Sequence, residues 1–580
     1  MPAGDIGSEI RGRVATALRE AFDVRVEPAD TMVRPSGQAG VDYQCDIAMK
    51  LARTLRRPPR EVAEAVVGAL GTSSVFEPPQ VSGPGFVNFT LRTDWLAARV
   101  AGLLGDGRLG VAATQRPRRI ALDYSSPNVA KEMHVGHLRP TIIGDALLRL
   151  LRFAGHEVLP HNHLGDWGTP FGMLIEHLVD IGWESGGDHT INDLDGFYRQ
   201  ARAKFDGEPG FADRSRARVV ALQGGDQRTL RLWRALVDES TRHFNEVYRL
   251  LDVGLTDDDI YGESFYDPML AGTVADLEGK GLTRVSDGAV CLFPVGFANR
   301  EGEPLPLILR KRDGGYGYHV TDVATLRYWT AERGVDDLLY VVGAPQAQHF
   351  RMVFAAGREA GYLTDAHRAV HIGFGSMLGE DGRTIRTRAG GSVKLADLLA
   401  EAVDNAAEIV AERSQLEPAE QAQVARAVGL GALKYADLSS DREHDYVFTW
   451  SRMLATEGNT SVYLQYAVAR IRSILRSAGA VPPPGTVVQL GEPAERALAV
   501  KLLQLPAAVD AAVEGYAPHK LCTYLYELAK VFTAFHGSCP ILKDHVAPDV
   551  RGSRLVLAHL TAEVLVLGLA LIGIEAPQRM

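Results

Sequence analysis

Hydrophobic and polar positions change period several times along the chain, and each change predicts an element. Residues 48–70 place Met49, Ala52, Leu55, Val62, Ala65 and Val66 at helical spacing, and Pro58 and Pro59 split the run into two helices. Gly83-Pro-Gly85 predicts a turn, and residues 86–91 alternate as a half-buried strand. Residues 105–118 read as a linker. A new texture then begins: an apolar strand at 119–124, a polar loop at 125–134, and a helix from 137 to about 154. That helix carries Ile142, Ile143, Ala146, Leu147, Leu150 and Leu151 on one face, tolerates Pro140 in its first turn and stops at Gly155. A strand at 157–160 follows, so the order is that of a βαβ unit in a parallel sheet. Residues 180–258 are charged and mostly helical, and read as an insertion. The strand pattern resumes at 289–293, 338–342 and 369–372. Past about residue 400 the chain is nearly all helix, with Pro482-Pro-Pro-Gly485 as its conspicuous loop. The expectation is an α/β multidomain protein: a small α+β domain over 1–108, a parallel-sheet domain over 119–400 with a helical insertion at about 180–258, and an all-α domain over 415–580.

Composition narrows this picture. The 580 residues are 46% hydrophobic and 23% charged, which excludes disorder throughout, a collagen-like fibre and a disulfide scaffold. The longest apolar run, 564–574, is short for a membrane span and predicts a buried helix. The first five residues lack the features of a signal peptide. Cys45, Cys291, Cys522 and Cys539 form no C-x-x-C pair, so no structural zinc or other metal site is expected, and reduced thiols suit a cytoplasmic protein away from membranes. The net charge of −10 at first argues against a nucleic-acid partner. Yet residues 1–118 carry +2, residues 442–580 carry +1, and the middle holds −13. Phosphate binding needs a local basic surface, which either end could supply.

The candidate chemistry starts at His134-Val-Gly-His137, between a strand and a helix N-terminus. Free amide donors and the positive end of a helix dipole suit a phosphate there. Two imidazoles add donors that strengthen as charge develops, and Gly136 leaves room for a flat base. The plainer alternative is a pair of histidines capping a helix. The surrounding run, residues 123–139 (Asp-Tyr-Ser-Ser-Pro-Asn-Val-Ala-Lys-Glu-Met-His-Val-Gly-His-Leu-Arg), resembles the ATP-site segment of arginyl-tRNA synthetases. Residues 161–168, Tyr318-His-Val-Thr-Asp322, residues 430–435, residues 463–471 and the ending 576–580 resemble further motifs of that family, in its order. Residues 42–45 and 83–86 extend the likeness to the N-terminus.

The resemblance implies a Rossmann-type catalytic domain, an N-terminal tRNA-binding domain and a C-terminal anticodon-binding domain. It implies an aminoacyl-tRNA ligase of protein biosynthesis: arginine attacks ATP to give arginyl-adenylate and pyrophosphate, then passes to the 3′-terminal adenosine of tRNA(Arg). ATP with Mg2+ and L-arginine are the expected small molecules, a monomer is the expected state, and the family generally needs bound tRNA before it activates arginine. A guanidinium is planar, always charged and best read by carboxylates. The resemblance assigns that task to Asp322 and Asp123, with Tyr318 as a pocket wall, Ser126, Asn128 and Gln346 as polar contacts, and Glu263 toward the α-amine. Tyr318 could instead be a core aromatic, Asp322 a helix cap and Glu263 a loop carboxylate. Asp123 is a small departure point, since some family members are expected to carry Glu at this place; the shorter acid needs a closer substrate or a water.

His134, Gly136, His137, Lys131, Arg386 and Arg388 are the expected ATP and catalytic group. The second ATP motif of class I enzymes is degenerate in residues 377–391: Glu380, Arg383 and Arg386 stand where lysines are common, and Lys131 is positioned to compensate. Arginine keeps the charge and clamps phosphate bidentately. Arg53, Arg56, Arg57 and Arg60 are candidates for tRNA contact at the N-terminal end, and Tyr463, Tyr466, Arg470 and Arg472 at the C-terminal end. The altered loop keeps open a divergent paralogue, either a non-catalytic tRNA-binding protein or a supplier of arginyl-tRNA to a secondary pathway.

Overall fold

A computed structural model describes residues 6–38, 40–183, 191, 193–383, 385, 393–413, 416–479 and 481–580. The chain forms two compact units: residues 1–113, 414–420 and 455–580 in one, and residues 114–413 and 421–454 in the other.

The second unit is built on a four-stranded parallel sheet in the order Arg368–Phe374, Asp337–Gly343, Arg119–Asp123, Glu157–His161. Ile120, Ala121 and Leu122 are buried, as are Leu338, Leu339 and Val341, so the central strands read as continuous apolar runs. The helix Leu138–Phe153 leads from the strand Arg119–Asp123 to its neighbour Glu157–His161. The helix Ala347–Glu359 leads from Asp337–Gly343 outward to Arg368–Phe374. The two crossovers leave in opposite directions from adjacent strands. A crevice therefore opens at the carboxyl ends of those strands, where ligands bind in sheets of this kind.

The residues at 289–293 do not join this sheet. They form the strand Ala289–Leu292 in a separate antiparallel sheet with Thr283–Ser286 and Leu307–Arg310. The Asp287-Gly288 pair between the first two strands has positive φ at both residues (48° and 79°), the backbone of a tight hairpin turn. The charged stretch folds into helices Leu194–Gly207, Pro209–Gln223 and Gln227–Leu251.

The first unit joins the two ends of the chain. Strands Val33–Pro35, Tyr43–Cys45, Phe86–Phe89 and Gln80–Ser82 form an antiparallel sheet in that order, with helices Ile6–Phe22, Ile47–Leu55 and Pro59–Leu70 beside it. Helices Thr93–Ala101, Ser461–Ala478, Pro493–Leu502, Leu505–Glu514, Pro518–Ser538 and Pro548–Leu571 also belong to this unit. Arg496 reaches from these helices to Asp42 Oδ2 (2.5 Å) and the carbonyl of Leu91 (2.9 Å). Helix Pro548–Leu571 is longer than the 564–574 run suggested, and by length and composition alone could cross a membrane. Val556, Leu557, Leu560, Val564, Leu565 and Leu569 are buried within its unit, as in a core helix.

Candidate active site

The loop after strand Arg119–Asp123 is held in an unfavourable backbone shape. Ser125, Ser126 and Ala130 have φ of 72°, 50° and 61°, and a left-handed non-glycine residue costs about 1–3 kcal/mol when the structure enforces it. The enforcing bonds come largely from the insertion. Ser240 Oγ on helix Gln227–Leu251 accepts from the Ala130 amide (2.9 Å), and Tyr248 OH of the same helix meets Ser125 Oγ at 2.8 Å. Asn162 Oδ1 accepts from the Ser126 amide (3.1 Å), and Asn162 Nδ2 donates to Tyr248 OH (3.2 Å). Thr141 Oγ1 reaches both Ser125 Oγ (2.9 Å) and the carbonyl of His137 (2.7 Å). The helical stretch that interrupts the α/β pattern thus braces the loop leading to the paired histidines.

His134 and His137 lie side by side, ring centroids 4.1 Å apart. His134 Nδ1 accepts from the Gly136 amide and His137 Nδ1 from the His134 amide, both at 3.1 Å. An imidazole nitrogen that accepts carries no proton, so in the neutral rings both protons sit on Nε2. Burial lowers the pKa of each ring, and the neighbouring His134 and Lys131 lower that of His137 further, to about 4. Two neutral donors, not two cations, are therefore presented at neutral pH. A Cβ on residue 136 would lie 2.8 Å from His134 Cε1, so glycine is what allows the rings this arrangement. Capping and phosphate binding are compatible here, because the caps use only the Nδ1 atoms. Exposed Lys131 is near enough to influence both rings, with its ammonium 4.8 Å from the Tyr198 ring centre.

The two acids expected to read a guanidinium sit on different elements but in one neighbourhood: both act on half-buried His163 and on buried Tyr340. Asp123 ends its strand, accepts from Ser126 Oγ at Oδ1 (2.9 Å) and meets His161 Nδ1 at Oδ2 (2.8 Å). Burial disfavours its charge, but His161, with His163 and Ser126, more than offsets this and keeps its pKa below the usual range. Asp322 lies inside helix Tyr318–Arg327, so it is not a cap, and its Oδ2 is 2.6 Å from His349 Nε2. Tyr318 opens the same helix and is 63% exposed, which removes it from the core. It stacks on His319 with centroids 3.9 Å apart. Asn128 pairs its backbone with Gly165, and its side chain lies over that glycine. Gln346 is exposed at the short turn Ala344–Gln346. Glu263 begins helix Glu263–Gly279, and burial together with Asp166 and Asp322 pushes its pKa to about 7. That is far from the behaviour of a surface-loop carboxylate.

Of the degenerate second motif, Arg386 and Arg388 lie outside the described residues. Its flanks are described. Met377–Leu378 pairs with Tyr446–Val447, and at the far end Val393 accepts from the Val135 amide while the Leu395 amide donates to Met133, at 2.9 and 2.8 Å. Lys394, which the sequence reading did not single out, is 2.9 Å from Glu132 and stands beside His134 through a backbone bridge. In the other unit, Arg53, Arg56, Arg57 and Arg60 are exposed, with Arg60 paired to Glu64. Arg470 is exposed and Tyr466 half-buried. Arg472 is committed elsewhere: it donates to the carbonyls of Ala576 and Pro577 (3.0 and 2.8 Å), so it pins the C-terminal residues. One metal-like grouping is present among the described residues, Asp123, His161 and His163, with donor atoms within 4.8 Å of one another. The Asp123–His161 hydrogen bond already occupies two of those atoms.

Family models match in three stretches: "Arginyl tRNA synthetase N terminal domain" over residues 8–91, "tRNA synthetases class I (R), catalytic domain" over 99–450, and "DALR anticodon binding domain" over 464–580. The chain is 52% identical to an arginine–tRNA ligase of Thermobifida fusca, covering 98% of both chains. It is 45% identical to one of Cellvibrio japonicus, over 95% of this chain and 96% of that one. Among solved structures it is similar to the arginyl-tRNA synthetase of Plasmodium falciparum (TM-score 0.87, 27% identity, 100% of both chains). It is also similar to that of Thermus thermophilus (0.82, 26%, 99% of this chain and 100% of that one).

Proposed function

The chain belongs to the class I arginyl-tRNA synthetase family, and from that premise we propose how its cleft is used. As an aminoacyl-tRNA ligase it joins arginine to tRNA with ATP as co-substrate, and its relatives favour this reading over a non-catalytic paralogue. In our reading the guanidinium lies between Asp322 and Asp123, walled by Tyr318, with Ser126, Asn128 and Gln346 as polar contacts and Glu263 toward the α-amine. The arginine carboxylate then faces the α-phosphate of ATP, whose base lies along Gly136. The Nε2–H groups of His134 and His137, with Lys131, Arg386 and Arg388, stabilise charge as the adenylyl group passes to the carboxylate and pyrophosphate leaves. Catalysis is then positioning plus electrostatics, with no covalent enzyme intermediate. Magnesium travels with the nucleotide phosphates, which suits an ion that keeps much of its water. Arg53, Arg56, Arg57, Arg60, Tyr466 and Arg470 contact tRNA(Arg), and the enzyme works as a cytoplasmic monomer without a membrane partner.

One observation supports this most: two buried or half-buried carboxylates meet in one neighbourhood at the end of the strand that leads into the paired imidazoles. The direct test is charging of tRNA(Arg) with labelled arginine against citrulline and canavanine. Citrulline is nearly isosteric but uncharged, and leaves both carboxylates unpaired; discrimination of at least about 10⁴-fold is expected, as for sites built around a polar group. Canavanine keeps a guanidine-like head and is expected to be rejected far less. Equal charging with citrulline would refute the assignment.

Glu263 carries a pH prediction. With a pKa of about 7 in the empty cleft it is largely protonated below neutrality. A bound cationic amine needs the carboxylate, so binding releases a proton and affinity rises with pH. KM for arginine is expected to fall as pH rises from 6 to 7 and to level off above 8, by up to about tenfold per unit on the steep part. Glu263→Gln is expected to flatten the profile; an unchanged profile in that variant would remove Glu263 from the site.

A further inference from the structure

We propose that His161 is a positioning residue of the arginine pocket, fixing the Asp123 carboxylate through a hydrogen-bond chain that runs from Trp329 through Tyr266. The inference rests on the reading of Asp123 as a guanidinium partner. Asp123 and His161 are register partners at the ends of adjacent parallel strands. His161 Nδ1 is 2.8 Å from Asp123 Oδ2, His161 Nε2 is 3.1 Å from Tyr266 OH, and Trp329 Nε1 donates to that hydroxyl at 3.0 Å. An indole N–H only donates and an ionised carboxylate only accepts. Nδ1 therefore carries the proton given to the acid, and the Tyr266 hydroxyl, which takes the indole N–H, holds the ring from its Nε2 side.

Every member is buried: Trp329 and His161 are 1% exposed, Tyr266 is fully buried and Asp123 is 7% exposed. Rotating any of them would leave a buried polar group without its partner, so the chain resists displacement. Ser126 Oγ holds the other oxygen. Two of the roughly four acceptor sites of the carboxylate are then filled from within, and the remaining two, one on each oxygen, suit the parallel N–H groups of a guanidinium. An aspartate reaches less far than a glutamate, and a lock from behind sets its position without a longer side chain. Because His161 uses both ring nitrogens in the chain, it has none left for a metal.

The test is steady-state aminoacylation by the full-length enzyme with tRNA(Arg), varying each substrate in turn. His161→Phe keeps the ring volume and removes both nitrogens. It is expected to raise KM for arginine by about 10–100-fold, with kcat and KM for ATP changed less than about threefold. His161→Asn, whose amide places a donor near the Nδ1 position, is expected to recover most of the loss. Tyr266→Phe breaks the chain one step back and is expected to raise KM for arginine by a smaller factor in the same pattern. An unchanged arginine KM in His161→Phe, or equal rises for arginine and ATP, would overturn the proposal. Should His161→Phe fail to fold, the Tyr266→Phe and His161→Asn arms decide in the same terms. Asp123→Asn is the control: if it leaves arginine KM untouched, the pocket assignment itself has failed, whereas a rise there with His161→Phe silent sinks the relay alone.

Discussion

Asp322→Asn is expected to lower kcat/KM for arginine by roughly a hundred- to several-thousand-fold, the consequence of taking from a desolvated guanidinium one of its two countercharges, at about 3–5 kcal/mol. The side chain of Asp322 is only 22% exposed and its Oδ2 is already oriented by His349 Nε2. The carboxylate is thus held by the protein before substrate arrives, and little ordering remains to offset the gain on binding. The amide of asparagine keeps the shape and one acceptor oxygen but loses the charge. Discrimination against citrulline is therefore expected to fall along with the rate, since a neutral urea pairs with an amide about as well as a guanidinium does, and only Asp123 is left to reject it. Measured kcat/KM values for arginine and citrulline check both statements; an arginine kcat/KM within threefold of the parent would exclude Asp322 from the pocket.

Asp437→Ala is expected to have the largest effect on stability. Arg139, on the helix after the paired histidines, is 2% exposed, and its Nε stands 3.0 Å from Asp437 Oδ2, whose side chain is fully buried. Its Nη atoms donate to the carbonyls of His444 and Arg442, both at 3.2 Å, and its guanidinium carbon lies 5.2 Å from the centre of the Tyr446 ring. Removing the acid leaves a buried cation uncompensated, a loss of about 3–5 kcal/mol. The double substitution Arg139→Met with Asp437→Leu removes both charges and is expected to recover most of it, because the desolvation penalty disappears together with the attraction. Denaturant midpoints at constant slope provide the measurement, and a single-variant loss under about 1 kcal/mol would contradict the expectation. Arg442 also accepts the Gly375 amide. The same cluster therefore secures the strand that runs into the second ATP motif, and KM for ATP is expected to rise in the Asp437 variant.

The βαβ unit was legible in the sequence because period and punctuation agree there: an apolar strand, Pro140 in a first turn, Gly155 at a stop. The run 289–293 was harder. A short apolar stretch does not say whether its partners are parallel or antiparallel, and the informative signal was the Asp287-Gly288 turn beside it. In the site, the histidine pair and Asp322 stood out because their chemistry is compact in sequence. Asp322 as a helix cap and Tyr318 as a core residue were real alternatives until the helix bounds and exposure separated them. The supports were invisible for a common reason: Ser240 lies 110 positions from Ala130, and Tyr266 lies 105 from His161. Nothing in Ser125, Ser126 or Ala130 announces a left-handed backbone, since none is a residue that favours it. Three-dimensional closure imposes it on them.

The ion pair between Arg496 and Asp42 spans 454 positions. At about 5–20 residues per second on the ribosome, the acid waits roughly 25–90 s for the base to be made. The N-terminal sheet and helices must therefore persist through most of synthesis with the face around Leu91 still uncovered, and the unit containing them closes after the parallel-sheet unit has been translated. A nascent chain stalled before residue 496 is accordingly expected to be cut by protease around Leu91 faster than the finished chain.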